Sequence, residues 1–215
     1  MITIDHVRAA LALEDFNSQA AHLKMAPVPR GYFGKDDNRR DAAVLILLYP
    51  HDDTLHILLT RRTDSLRGHS GQISFPGGKR DPEDVSYRTI ALRETCEELG
   101  ICDTSTLTML GELTEIYIPV TRFDVYPIVA TIDTLPELTP SPAEVAEVLS
   151  ISVPQLLRAD LKKHQTREIM GHQVEIPYYD VNEHVVWGAT AIMLSALEHR
   201  LRAVLPDSVL NTLTD

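Results

Sequence analysis

Phe75-Pro76-Gly77-Gly78-Lys79-Arg80-Asp81-Pro82-Glu83-Asp84, followed after eight residues by Arg93-Glu94-Thr95-Cys96-Glu97-Glu98-Leu99-Gly100-Ile101, is the stretch on which the fold turns. Residues 86–99 have helical character, with Ser86 as N-cap and Gly100 as C-terminal stop. At about 100° per residue, Glu94, Glu97 and Glu98 share one face, and Leu92, Cys96 and Leu99 are expected on the opposite, core-facing side. Like charges three and four residues apart repel, so the arrangement costs stability unless a cation sits beside it. Mg²⁺ or Mn²⁺ suits carboxylate oxygens, whereas no His or Cys stands at a spacing that favours zinc. A solvated acidic face is the plain alternative for three glutamates alone. The loop before the helix shifts the balance, because two adjacent glycines permit close backbone approach to a ligand.

Outward from this stretch the pattern is mixed. Upstream, an uninterrupted apolar run, 42–49, ends at Pro50, and His51-Asp52-Asp53 suits a turn into a second run, 55–60; both are expected as buried, adjacent strands. A single helix is expected within 5–24, followed by an irregular lead-in at Pro27, Pro29 and Gly31. Downstream, strands are expected at 108–118 and 123–132, then a Pro-rich loop, a helix or strand near 143–152, and a helix after Ser152. A strand pair across 166–187 and a last helix over 188–203 complete the chain. The sum is an α/β domain with helices flanking a sheet.

Composition narrows the partners. The 215 residues are 44% hydrophobic and 24% charged, as in an ordinary soluble globular protein. A net charge of -11 disfavours general attraction to nucleic acid or an anionic membrane, so any phosphate must be gripped locally. Cys96 and Cys102 lack a CxxC spacing and suggest neither a disulfide framework nor a zinc site, and Cys96 reads as a small core residue. With no basic-then-apolar start and no run of about 18 apolar residues, the expected location is cytoplasmic.

The helix and its loop resemble the Nudix box: Gly, five residues, Glu, seven residues, then Arg-Glu-(apolar)-x-Glu-Glu-x-Gly-(apolar). Arg93, Glu94, Glu97, Glu98, Gly100 and Ile101 match its second half, with Thr95 where a larger apolar residue is commoner. The first half departs: counted from Gly78, Asp84 takes the Glu position and eight residues rather than seven precede Arg93, so that either Glu83 or Asp84 serves there. The run Leu58 to Gly78, including Leu66-Arg67-Gly68-His69-Ser70-Gly71-Gln72, resembles the extra signature of coenzyme A pyrophosphatases within this group, and Trp187-Gly188-Ala189-Thr190-Ala191 is similar to a further segment of theirs.

The resemblance covers roughly residues 40–200 and implies an α/β/α sandwich with a mixed β-sheet and a loop-helix-loop box. The domain is expected at 39–205, with an N-terminal helical extension at 1–38 that the resemblance does not explain and a tail at 206–215. The resemblance implies hydrolysis of coenzyme A or acyl-CoA to 4′-phosphopantetheine, or its acyl form, and adenosine 3′,5′-bisphosphate. Carried over, Glu94 and Glu98 are the main metal ligands, with Glu97 and the Gly78 carbonyl as further ones, and Arg93 holds the carboxylates in place. A carboxylate must take the proton of the attacking water, and Glu97, Glu144 and Glu147 are the candidates. Arg61, Arg62, Arg67, Lys79 and Arg80 bracket the box as phosphate-gripping groups, each as readily a surface charge, with His69 and Gln72 as weaker candidates. A Nudix enzyme for ADP-ribose, a dinucleotide or a nucleoside triphosphate, and a non-catalytic nucleotide-sensing domain, are the alternatives. A homodimer is compatible with all of them.

Overall fold

The computed structural model describes residues 1–27, 38–64, 71–169 and 171–213. Its contacts divide the chain into two compact units, one of residues 36–153 and one made of 1–35 together with 154–215. The span 39–205 expected for a single domain therefore runs across both.

The unit of residues 36–153 is built on β1 (Arg40–His51) and β2 (Thr54–Arg62), which pair antiparallel through a turn where Asp52 and Asp53 both take positive φ, 44° and 60°. Aspartate tolerates this region better than most residues. Then follow β3 (Ile73–Ser74), β4 (Gly77–Lys79), α1 (Tyr87–Leu99), β5 (Leu107–Glu112), β6 (Ile116–Ile118), β7 (Phe123–Ile132) and β8 (Val145–Ser152). The path β3-β2-β1-β7-β5 carries β8 on β2, β4 on β1 and β6 on β7. Because β1 and β7 run parallel while the other pairs are antiparallel, the sheet is mixed, as expected. The segment near 143–152, open between helix and strand, is a strand.

Alternate residues of β1 (Ala43, Leu45, Leu47, Tyr49) and β7 (Ile128, Ala130, Ile132) form one core with Ile90, Ala91 and Leu99 of α1. Each large aliphatic side chain buried there contributes about 2 kcal/mol. The helix is turned from the expected orientation: Ile90, Ala91, Thr95, Glu98 and Leu99 are buried, while Leu92 and Cys96 are half-buried. The core follows the i, i+4 pair Ala91 and Thr95, whose hydroxyl returns to the Ala91 carbonyl at 2.7 Å. Cys96 is then free to meet Cys102, and a disulfide joins them, correcting the expectation of an unpaired core cysteine.

The second unit holds α2 (Ile4–Leu11) and α3 (Ser18–Lys24), where one helix was expected. The break has a local cause, since the Asn17 side chain accepts from the Ala20 amide at 2.9 Å and so starts a new helix. After α4 (Val153–Leu156) come β9 (Lys162–Ile169), β10 (His172–Val181) and β11 (His184–Trp187), an antiparallel sheet, then α5 (Gly188–Val204) and α6 (Asp207–Asn211). Both N-terminal helices pack on α5: Ser195 Oγ donates to the Ala21 carbonyl at 2.8 Å, and Arg200 Nη1 to those of Ala10 and Leu13, each at 3.1 Å. Buried Glu198 of α5 accepts from Tyr179 Oη at 2.7 Å, Lys162 Nζ at 2.9 Å and Arg202 Nε at 2.9 Å, so its charge is compensated in place. Among the described residues no helix is long and apolar enough to cross a membrane.

The disulfide closes a short loop holding the last turn of α1 and its left-handed Gly100. By loop-closure entropy, Cys102→Ser is expected to lower stability by about 2 kcal/mol. Urea titration of both proteins, with and without a dithiol, checks this: the dithiol shifts the wild-type midpoint and leaves that of the variant in place.

Candidate active site

The site begins with the docking of α1 on the glycine loop. Gly78 pairs with Ala43 and Gly77 with Val44. A Cβ at Gly77, whose φ is 157°, would lie 2.4 Å from the Ala43 carbonyl oxygen, and one at Gly78 would lie 2.3 Å from the Glu94 carboxylate. The two glycines therefore let strand, loop and helix approach until a carboxylate rests on bare backbone.

Arg93 ties the pieces together. Its Nη2 donates to Asp84 Oδ2 and to the Lys79 carbonyl, both at 3.0 Å, and its Nε reaches Asp84 Oδ1 at 3.4 Å. Its Nη1 donates to Glu94 Oε1 at 3.0 Å and Glu97 Oε2 at 3.1 Å, with Asp81 at 3.8 Å. The hydrogen bond from Arg93 holds buried Asp84 below the usual carboxylate range, against its desolvation, and Asp84 in return raises the Arg93 pKa. Of the two residues left open for the glutamate position, Asp84 is the one at Arg93, and Glu83 is exposed.

The three glutamates differ in environment. Glu97 is exposed; burial raises the pKa of Glu94; and burial pushes Glu98, only 2% exposed, up to about 8. Arg62 at 3.8 Å and the Gly77 amide pull Glu98 down, but Glu144 and Glu94 push it further up. Glu144, far off in sequence, thus feels both helix carboxylates. Its segment is placed by two loop bonds, Thr63 N–H to the Glu144 carbonyl at 3.0 Å and Ser141 N–H to that of Glu98 at 2.9 Å.

Other expected residues fall elsewhere. Glu147 accepts from Arg61 Nε at 3.1 Å, an ion pair across β2 and β8. Lys79 is exposed beside Asp81 at 3.9 Å, and Arg80 donates to Asp41 Oδ2 at 3.2 Å and the Asp84 carbonyl at 3.1 Å. Gln72 supplies its backbone carbonyl to the Arg62 amide at 3.0 Å. Arg67 and His69 lie outside the described residues. The part of Asp81 and of the 139–141 loop, which caps α1 through Thr139 N–H to the Leu99 carbonyl at 3.0 Å, carries no local sequence signal.

The donors suit a hard divalent cation, since they are oxygen throughout. Among the described residues no three His, Cys, Asp or Glu side chains are gathered as a ligand set, and Arg93 is bonded to both Glu94 and Glu97. The fit rests on Glu98, a carboxylate taken out of water with its charge incompletely met, beside Glu94 and the open backbone of Gly78.

The NUDIX domain family matches residues 39–171. The chain is 31% identical over 195 residues to a protein of Photorhabdus laumondii named uncharacterized Nudix hydrolase NudL, covering 89% of this chain and 99% of that one. It is 32% identical over 170 residues to Nudix hydrolase 15, mitochondrial, of Arabidopsis thaliana, covering 74% and 59%. Among solved structures it is similar to the Nudix hydrolase RenU of M. smegmatis (TM-score 0.52, 19% identity, 78% of this chain and 88% of that one). It is also similar to the MutT protein of Methanosarcina mazei Go1 (TM-score 0.52, 18% identity, 79% and 98%). These two likenesses show the mixed α/β fold. A family match over more than half of the chain, with a relative covered almost end to end, shows that this chain belongs to the Nudix hydrolases, pyrophosphohydrolases that act on phosphorus-containing anhydrides and generally use divalent metal ions.

Proposed function

We propose that the chain hydrolyses the diphosphate of coenzyme A or an acyl-CoA, giving 4′-phosphopantetheine or its acyl form and adenosine 3′,5′-bisphosphate. The observation that carries the chemistry is the buried, under-compensated Glu98 beside Glu94 on the Gly78 backbone. The coenzyme A assignment is supported by the Leu58–Gly78 run and its resemblance to coenzyme A pyrophosphatases. A cytoplasmic location belongs to this reading, and the Cys96–Cys102 disulfide weighs against it, because reducing compartments keep thiols apart.

Glu94 and Glu98 would hold Mg²⁺ or Mn²⁺, with Glu97 and the Gly78 carbonyl as further oxygen donors. When bound, the ion neutralises charge on the diphosphate and acidifies water. The residues of the chain do the rest. Arg93 fixes Glu94 and Glu97 by hydrogen bonds to one nitrogen, so their oxygens keep their positions without substrate. Glu144, coupled electrostatically to Glu94 and Glu98, is the carboxylate we favour for taking the water proton, and Glu97 is the second. Glu147 is engaged with Arg61 and is placed last.

Mass-spectrometric product analysis tests the assignment, with coenzyme A, ADP-ribose, NADH and ATP offered in parallel with Mg²⁺ or Mn²⁺. Adenosine 3′,5′-bisphosphate and phosphopantetheine are expected from coenzyme A, with a loss of about a hundredfold or more in Glu98→Gln. Intact coenzyme A alongside cleavage of another compound overturns the substrate; no turnover of any compound favours a nucleotide-sensing domain.

A pH dependence follows from Glu98. Its folded pKa lies above the ordinary carboxylate value, so the metal-free fold is favoured at low pH and loses that stabilisation as pH rises toward about 8. Metal binding requires the ionised form and so displaces a proton. Mg²⁺ affinity is therefore expected to fall about tenfold per pH unit below about 8, and Glu98→Gln to flatten the profile. Calorimetric titration in buffers of different ionisation enthalpy reads the released proton directly; a flat affinity between about pH 6 and about pH 8 contradicts this account of Glu98.

A further inference from the structure

β2 ends on two successive arginines with different partners. Arg61 Nε donates to Glu147 Oε2 at 3.1 Å, whereas Arg62 Nη1 lies 3.8 Å from Oε1 of Glu98 on α1. Alternation along a strand separates the two side chains. The ladder is also irregular at this point: Arg61 pairs with Glu147 and Arg62 with Val145, so Ala146 of β8 is passed over as a bulge. Bulges re-aim side chains and recur beside reactive sites. The backbone around Arg62 is fixed, since its amide donates to the Gln72 carbonyl and the Thr63 amide to the Glu144 carbonyl, both at 3.0 Å.

The Arg62 guanidinium is held far less firmly. Arg93 donates to Asp84, Glu94, Glu97 and the Lys79 carbonyl, and Arg80 to Asp41 and the Asp84 carbonyl. Arg62 donates no side-chain hydrogen bond among the described residues, and 3.8 Å lies outside hydrogen-bond reach, so charge alone ties it to Glu98. Its side chain is 27% exposed against 3% for that of Glu98. A five-donor fork therefore stands unused, and half-open to solvent, beside a buried carboxylate.

The ion that suits Glu98 is itself a cation, and two positive charges on one buried carboxylate repel. Occupancy of Glu98 by Mg²⁺ or Mn²⁺ thus weakens its hold on Arg62 and leaves the fork for an anion, which a guanidinium meets through paired N–H groups. Under the proposed function that anion is the substrate's diphosphate. We infer that Arg62 is an exchangeable counter-charge: it compensates Glu98 in the metal-free chain and turns its fork to the substrate's diphosphate when a divalent cation occupies Glu98. The inference rests on the metal and diphosphate reading of this site and adds an order to it, cation before substrate, because without the cation Glu98 keeps the fork.

One sign separates this role from a structural one. A side chain that only held Glu98 in place would, when lost, weaken metal and substrate together. A counter-charge that has to be displaced opposes the metal, so its loss tightens the metal and weakens the substrate. A proton also competes for Glu98, but a divalent ion feels twice the repulsion that a proton feels from the same charge, and the direction is unchanged.

The two effects are read in the full chain, in Arg62→Gln and in Arg62→Lys, by calorimetric Mg²⁺ titration without nucleotide and by steady-state kinetics on coenzyme A or whichever compound product analysis shows to be cleaved. In Arg62→Gln, Mg²⁺ is expected to bind about three- to tenfold more tightly, while KM rises about tenfold or more and kcat changes less. Arg62→Lys keeps the charge and loses the fork, so Mg²⁺ affinity stays at the wild-type value and KM is only partly restored; this variant carries the test if Arg62→Gln does not fold. If nothing is turned over, affinity for α,β-methylene-ADP in the presence of Mg²⁺ takes the place of KM. Mg²⁺ binding that is unchanged or weakened in Arg62→Gln overturns the exchange, and a KM unmoved in both variants overturns the contact with substrate; in either case the metal reading stands. A wild type that binds neither Mg²⁺ nor Mn²⁺ sinks the metal reading and this inference with it.

Discussion

The Arg93 guanidinium, bonded at once to Asp84, Glu94, Glu97 and the Lys79 carbonyl, is the interaction on which the rest of the site depends. A helix bearing three glutamates within five residues would repel itself and the acidic loop before it. One half-buried, permanently charged fork turns that repulsion into cross-linking, because a planar guanidinium can meet carboxylates on two sides. Helix, loop and strand are thereby held in one register, and the apolar contacts of Ile90, Ala91 and Leu99 complete what the charge network positions.

The same network leaves Glu98 on the other side of the balance. Arg93 bonds Glu94 and Glu97, but Glu98 is buried with Arg62 at 3.8 Å and its own like-charged neighbours close by. Such a group is stable as a neutral acid or beside an added cation, and it is costly as a bare anion. The glycine pair explains how closely the pieces approach: side chains at positions 77 and 78 would collide with Ala43 and Glu94. Stability and chemistry pull against each other at this point, as expected where a fold builds a reactive site.

Much of this was legible in the sequence because it is local. The apolar runs of β1 and β2, the Ser86 cap, the Gly100 stop and the Arg-Glu-x-x-Glu-Glu pattern depend on residues a few positions apart, and the structure follows them. The failures are tertiary. Leu92 and Leu99 look alike in sequence, yet only the packing against β1 and β7 decides that Leu99 enters the core and that the helix turns Glu98 inward. The disulfide follows from that rotation, since Cys96 half-exposed can reach Cys102 whereas Cys96 buried could not. The break of the N-terminal helix was a local signal passed over: Asn17 is a good cap inside an otherwise helical pattern. Glu144 could be named but not placed, because its position depends on bonds from Thr63, just past β2, and from the 139–141 loop.

The box loop presents Asp84 to Arg93 by a compact turn of its own. In that turn the Asp84 amide donates to the Asp81 carbonyl at 3.0 Å and the Asp81 amide to Asp84 Oδ2 at 2.9 Å. The turn carries the Asp84 backbone toward the helix, and its carboxylate, already oriented by the Asp81 amide, meets both Nη2 and Nε of Arg93. A shorter, stiffer acid has fewer rotamers to lose on burial than glutamate. The carboxylate is therefore oriented before Arg93 meets it, and the charge fork at the centre of the site has a buried partner.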